Sequence, residues 1–440
     1  MIVCELLQEC LAAWQDEICP PLFVQEFTIR EQAAREAQLD SFLRAVEAEL
    51  RDLPKTRAER GAARSRITSA FAEFAKGGLG LGEGHLELLL NEGFASVGTQ
   101  LAREARRFDP GVTAVDIFQA SRNAWTACGL QALMGQRMHL TPAIFAYSML
   151  YPYTDNYLDD PAISVGAKLS FNERLGERLN GRAVATVNER EAMIWSLLEL
   201  IEEQYPREEW PQVWASLLMI HRAQENSVRM LRFDSPTAHV DVLKLSFEKG
   251  GASVLADAYL AAGSLTGEEA RSAFGWGVLL QLADDLQDLR QDLREGHLTI
   301  FTECATGRRQ GQAGNKPLDE LTARTLSFGS RIMRQIECMP ASHSDAEDAD
   351  AKRKWLKEMI GMSSSMLLIW SAGACGEFYT SRYLEEVERH SPFRFAPLNE
   401  KRRKVARWTA PLSRLFDAFL AEEENDSASV LLAASLVARV

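Results

Sequence analysis

The chain is short of paired cysteines, of basic charge and of long apolar runs, and each shortage removes a class of protein. Its seven cysteines (Cys4, Cys10, Cys19, Cys128, Cys304, Cys338 and Cys375) are scattered, odd in number and never spaced as CxxC. A disulfide framework or a zinc site is therefore not expected, and a reducing cytoplasm is the natural setting. The histidines are equally dispersed, with no HExxH and no ExxH pair suited to a di-iron bundle. A formal charge of −13 leaves no basic stripe for nucleic acid. An anionic substrate remains open, because bound metal ions reverse the local field. No stretch approaches the roughly 20 apolar residues of a membrane span. The closest, 430–440, is too short and reads as a terminal helix that docks back on the body. The first residues carry Glu5, Glu9, Asp16 and Glu17, unlike the basic start and unbroken apolar run of a signal peptide. Alternating β patterns are scarce, and no internal repeat of fixed period is found.

What is present is helix. Ala, Leu, Glu and Arg are abundant, and 46% of the residues are hydrophobic, enough for a sizeable core. The expected organisation is an N-terminal helical segment with its connection (1–84), a main helical domain (85–400) and a C-terminal helical tail (401–440). Leu39, Phe42, Leu43 and Val46 sit at helical spacing in the first part. The glycine-rich stretch 76–84 fails GxGxxG, follows no strand and lacks GK[ST], so a flexible connection is the expectation rather than a phosphate loop. Thr141-Pro142 marks an N-cap with proline at the first helical position. Thr266 with Glu269 makes a capping box, opening a helix expected to run from about 267 to about 294 and to stop at Gly296. The basic run 401–404 (KRRK) reads as surface, at most a weak attraction for anionic membrane.

Two aspartate clusters carry the chemistry. The first is Asp155-Asn156-Tyr157-Leu158-Asp159-Asp160; the second is Asp284-Asp285-Leu286-Gln287-Asp288, continuing to Asp292. Positions four apart share a helix face, so Asp155 and Asp159 project together, as do Asp284, Asp288 and Asp292. Like charges so placed destabilise a bare helix by a few tenths of a kcal/mol per pair. A divalent cation between the carboxylates removes that penalty. Mg²⁺ suits best, since it uses few protein carboxylates and completes its shell with water and substrate phosphates.

DNYLDD at the end of one apolar helix and QLADDLQDLRQD on a later one, in an all-helical chain, resemble the class I isoprenoid synthase superfamily. The resemblance covers about residues 85 to 395. It implies an antiparallel helical bundle around a deep apolar cavity, with facing aspartate motifs that bind Mg²⁺ (three ions with the substrate diphosphate). Asp155, Asn156 and Asp159 match the first motif, with asparagine in its second place. Asp284, Asp285 and Asp288 match the second motif of prenyl diphosphate synthases, and Asp284, Asp288 and Asp292 match the four-residue step of the terpene synthase triad. The metal set implied is thus Asp155, Asn156, Asp159, Asp284, Asp285, Asp288 and Asp292, and the catalytic core is Asp155, Asp159, Asp284 and Asp288. Lys249 is similar in placement to the diphosphate-binding lysine of prenyl diphosphate synthases. Arg382-Tyr383 is similar to the C-terminal Arg-Tyr pair of terpene synthases, and HRAQENSVRML offers Arg222, Gln224, Ser227 and Arg229. Such cations stabilise negative charge on a departing diphosphate, and arginine adds bidentate hydrogen bonds. Counting back along each face from the aspartates gives the expected cavity lining: Tyr151, Ser148 and Ile144 on one helix, and Gln281, Leu280, Gly277, Trp276 and Ala273 on the other.

Within that superfamily the chain resembles the large bacterial terpene synthases most. An Arg-Arg-Gly segment, usual after the first motif of elongating prenyltransferases, is missing from PAISVGAKLSF. The expected activity is Mg²⁺-dependent ionisation of an allylic prenyl diphosphate, releasing diphosphate and forming a terpene. A prenyltransferase, chain-elongating or head-to-head, is the alternative. A non-catalytic scaffold of the same fold is a third reading, given footing by Asn156. A homodimer is common among similar folds.

Overall fold

Threonine marks the start of helix after helix. Thr28, Thr56, Thr113, Thr266 and Thr299 each accept a hydrogen bond from the backbone three residues on, within a capping box. Thr141 accepts from Ile144 N with Pro142 at the first helical position. Each such cap is worth about 1 kcal/mol. The computed structural model describes residues 2–18, 25–90, 93–160, 162–230, 241–307, 318–341 and 349–420, and omits the side chains of 2, 159 and 228–230. The expectations about the tail 421–440 lie outside the described residues, as do the side chains of Asp159 and Arg229.

In chain order the helices are α1 (Ile2–Gln15), α2 (Ile29–Arg51), α3 (Arg57–Phe74), α4 (Glu83–Leu90), α5 (Phe94–Phe108), α6 (Ala114–Leu133), α7 (Pro142–Asp159), α8 (Val165–Leu179), α9 (Glu189–Gln204) and α10 (Pro211–Met230). There follow α11 (Val242–Ala262), α12 (Gly267–Gln287), α13 (Leu289–Glu295), α14 (Ile300–Ala305), α15 (Asp319–Cys338), α16 (Ala349–Ala374), α17 (Ser381–Glu388), α18 (Phe395–Val405) and α19 (Thr409–Leu420). The fold is all-α: no strand occurs among the described residues. None of the described helices is long and apolar enough to cross a membrane.

The larger core is built around α11, which packs on α1, α6, α7, α10 and α12. Its tightest seam is with α12. A Cβ added to Gly277 would lie 2.2 Å from the Gly250 carbonyl oxygen, so glycine on both helices is what permits this approach. The turn through Gly263, at φ +74°, folds α12 back along α11. Opposite the expected single helix through residue 294, the chain bends at Asp288 (φ −92°, ψ 5°), dividing α12 from α13. The backbone bonds Asp288 N→Asp284 O and Asp292 N→Asp288 O, each 2.9 Å, survive the bend. The four-residue stacking of the three aspartates therefore persists across it. Gly296, at φ +75°, ends α13 as expected.

Residues 1–84 do not form one packing unit. Leu6, Leu7 and Trp14 of α1 are part of the larger core. The α2–α3 pair instead forms a second core with the C-terminal helices: Phe42, Phe71 and Phe74 meet Phe393, Leu398, Leu415 and Phe419. Phe42 and Phe74 stack at 5.4 Å. The glycine-rich stretch is a packed turn rather than a loose tether. It forms a π-helical turn at Ala75–Leu79, and Arg35 Nη1 donates to Gly78 O at 2.6 Å. The ring of Trp355 lies where a Cβ on Gly84 would be, 2.1 Å away. The basic run 401–404 is spent inside the chain: Lys401 pairs with Asp40 at 2.9 Å, Lys404 with Glu47 at 2.8 Å, and Arg402 donates to Trp370 O.

Candidate functional site

The last two turns of α7 deliver the first cluster. Tyr151 and Asp155 lie four residues apart on one face, and the Asp155 carboxylate accepts from Gln224 Nε2 of α10 at 3.0 Å. Asn156 is exposed and turned toward α6, where its amide donates to Asp116 Oδ1 at 2.9 Å. Asp116 is itself the acidic member of the capping box that starts α6. Asn156 is thus committed to holding α6 and α7 together. Asp159 ends α7.

The second cluster divides by environment. Asp284 is exposed, Asp288 and Asp292 are half-buried, and Asp285 is buried at 6% exposure. Asp285 points into the α11–α12 seam. Its Oδ1 accepts from Gln281 Nε2 at 2.7 Å and its Oδ2 from Ser246 Oγ at 3.3 Å. Burial pushes its carboxyl up to about 7, against the Gln281 hydrogen bond and the charge of Lys249. Burial also raises Asp288 to about 6, helped by the like charges of Asp284 and Asp292 and opposed by Arg122. Asp292 is raised by burial and by Asp284, with its bond to His297 Nδ1 (3.3 Å) pulling the other way.

One phenol senses both clusters. Tyr151 is 38% exposed as a residue. Its hydroxyl is nonetheless held well above the ordinary tyrosine range, first by lost solvent and then by the negative charge of Asp155 and Asp284, with Arg122 opposing. Asp155 and Tyr151 border a pocket of about 110 Å³ that also takes Lys249 and Ser253 from α11 and Gln281 from α12. Its inner wall is Leu175 and Leu179 of α8, Leu198 of α9, and Leu217 and Ile220 of α10. The volume falls short of the ~300 Å³ at which small-molecule pockets begin. Binding a prenyl chain therefore requires a wall to yield.

Among the expected cavity residues, Tyr151 and Gln281 line this pocket. Ile144 and Ser148 lie deeper on α7 and are buried, with Ser148 Oγ donating to Ile144 O at 2.7 Å and contacting Asn123 of α6 at 3.4 Å. Ala273 and Trp276 are buried in the core, Gly277 is pressed on α11, and Leu280 is half-buried. Counting along the faces thus reached the pocket at Tyr151 and Gln281 only, and the remaining positions lie outside its lining. Lys249 is at the pocket and acts on Asp285. Arg382 is exposed on α17 and Tyr383 stacks on Tyr379 at 5.7 Å. No residue of α17 lines the pocket. Arg229 belongs to the last turn of α10.

Several neighbours escaped sequence reasoning. Ser253 and Asp257 follow Lys249 at four-residue steps along α11, a spacing that would have found them. Asp257 is buried at 1% exposure, its Oδ1 without a partner, and burial raises its carboxyl well above the ordinary range against a hydrogen bond from Asn123. Arg122, on α6, carries no local signal; only the fold sets its charge against Tyr151 and Asp288.

Oxygen donors of this kind suit Mg²⁺. Asp155 borders the pocket, whereas Asp284, Asp288 and Asp292 are not among its lining residues; the set holds no thiolate, which matches a hard cation. Among the described residues, no three acidic, histidine or cysteine side chains already converge into a cage. Mg²⁺ commonly takes only one or two carboxylates and draws its other ligands from phosphates and water. Both carboxylate oxygens of Asp285 accept internal hydrogen bonds, and the Asn156 amide nitrogen is turned to Asp116, which leaves the exposed and half-buried aspartates as the charged donors that fit.

No protein-family model, no curated protein and no solved structure matches this chain.

Proposed function

We propose that the chain is a Mg²⁺-dependent class I terpene synthase that ionises an allylic prenyl diphosphate. The observation that carries this reading is one pocket bordered by Tyr151 and Asp155 of α7, Lys249 of α11 and Gln281 of α12, the helix that bears the second aspartate cluster. When bound, Mg²⁺ supplies Lewis-acid stabilisation of the departing diphosphate.

Asp155, Asp284, Asp288 and Asp292 would hold the metal, with Asp159 completing the first motif. Gln224 fixes the Asp155 carboxylate, so its orientation is set before ligand arrives. Lys249 offers a cation toward the diphosphate. Asp285 is reassigned from ligand to support: tied to Gln281 and Ser246, it faces Lys249 across the α11–α12 seam. The leucine wall accepts the hydrocarbon and keeps bulk water from the carbocation left behind. Room for it would come from a shift of α8, which packs on α10 and is tied to α9 by Arg174–Glu191 and Arg178–Glu202.

Incubation of the purified chain with C10 to C25 prenyl diphosphates and Mg²⁺ tests the reading. Diphosphate release with terpene formation is expected. No release from any of these substrates would overturn it.

A further inference from the structure

The wall between α8 and α10 has two sides. Inward lies the pocket bordered by Tyr151 and Asp155; outward lies a groove of about 730 Å³ with polar residues such as Ser170, Glu173 and Asn180 on its surface. Asn172, His221 and Glu225 line both spaces. They are therefore the boundary between a roomy polar groove and a chamber walled by leucine. His221 fills that boundary tightly: a Cβ on Gly176 of α8 would lie 3.0 Å from its Nε2 and 3.4 Å from its Cδ2.

The ring is suited to receive a proton. It lies beside the Asn172 backbone, which favours the protonated ring. A neutral imidazole carries a lone pair on one of its two ring nitrogens. Burial lowers the ring's pKa, which favours the neutral form; Glu225 one turn on lowers the cost of the imidazolium, and the adjacent Arg222 opposes it. A groove of this size with several polar partners has room for ordered water.

We propose that His221 admits and deprotonates the water molecule that ends the reaction, so that the product is a terpene alcohol. This deepens the terpene synthase reading and rests on it. The water oxygen forms a C–O bond to the cationic carbon, an O–H bond of that water breaks, and its proton passes to the free ring nitrogen of His221. The groove then returns the proton to solvent. No oxidant or further reactant is needed.

The test is turnover in H₂¹⁸O, with alcohol and hydrocarbon products measured per diphosphate released. The unaltered chain is expected to give an alcohol labelled with ¹⁸O. His221→Gln is expected to lower the alcohol-to-hydrocarbon ratio about 100-fold, the lower range for loss of a general base. Gly176→Ala keeps the imidazole but pushes it aside, and is expected to lower the same ratio. Products that are only hydrocarbons, an alcohol without ¹⁸O, or a ratio unmoved by His221→Gln each overturn this role and leave the ionisation chemistry standing. A chain that releases no diphosphate overturns both.

Discussion

Gly277→Ala is expected to destabilise the protein more than Gly275→Ala, two residues away on the same helix. Both substitutions gain similar helix propensity, about 1 kcal/mol, so that benefit cancels in the comparison. What differs is the atom each new methyl meets. At Gly277 it lies 2.2 Å from the Gly250 carbonyl oxygen, 2.9 Å from the Gly250 carbonyl carbon and 3.0 Å from Val254 Cβ. Backbone cannot swing aside, so restoring a carbon–oxygen contact of about 3.3 Å requires α11 and α12 to part by about 1 Å. At Gly275 the obstacle is Ile332 Cδ1, 2.6 Å away, the end of a side chain that can rotate. Overpacking a close-packed seam costs ~1–3 kcal/mol, so the two variants should differ by about 2 kcal/mol. A parting of that size also lengthens Ser246 Oγ–Asp285 Oδ2 beyond its 3.3 Å, past the hydrogen-bonding range. Asp285 then loses a partner beside Lys249. Urea denaturation followed by far-UV circular dichroism and tryptophan fluorescence gives both stabilities, and agreement of the two probes checks two-state behaviour. Equal losses in the two variants, or a Gly277→Ala protein as stable as the unaltered chain, would refute the close-approach argument.

Asp155→Ala and Asp284→Ala should each cut diphosphate release by about 100-fold or more, the scale of losing one electrostatic stabiliser of the transition state, with circular dichroism nearly unchanged; loss of fold in both would assign them a structural role. Lys249→Ala should likewise slow turnover, and Lys249→Arg should restore part of it, since a cation rather than a particular side chain is required there; equal rates for the two variants would remove Lys249 from the diphosphate site. Asp257 sets a pH dependence of stability. Its folded-state carboxyl titrates well above the unfolded value of about 3.9, so the native chain holds a proton that the unfolded chain releases. That contribution is fully present below about pH 4 and is lost as pH rises toward the folded value. Asp257→Asn should therefore gain stability on the unaltered chain between pH 5 and pH 8 in urea denaturation, and parallel pH profiles would sink this account.

Helix starts were the most legible feature. The threonine caps at Thr141 and Thr266 appear where the sequence places them, because a cap is a bond between a side chain and a backbone three residues away. The positions of Tyr151 and Gln281 at the pocket followed from the same short-range geometry, whereas Lys249 came from the resemblance alone. Counting further down the faces overshot. α6 occupies the space Ser148 faces and α11 the space Gly277 faces, while Ile144 and Ala273 are buried. The division of labour between Asp284 and Asp285 was not readable either. Adjacent residues on a helix point about 100° apart, and which of them meets solvent depends on where α11 lies.

Local spacing, then, determined the all-helical character, the helix starts, the stop at Gly296 and the pairing of aspartates on shared faces. Hydrogen bonds and side-chain neighbours within four residues suffice for these, and they are written in the chain itself. Tertiary packing alone decided that α1 joins one core while α2 and α3 join another, and that Arg122 sets its charge against the phenol sensing both clusters. It also decided that leucines of α8, α9 and α10 wall the pocket while α17 lies elsewhere. Those outcomes depend on which buried faces meet across long stretches of chain, and no period of 3.6 residues carries that information.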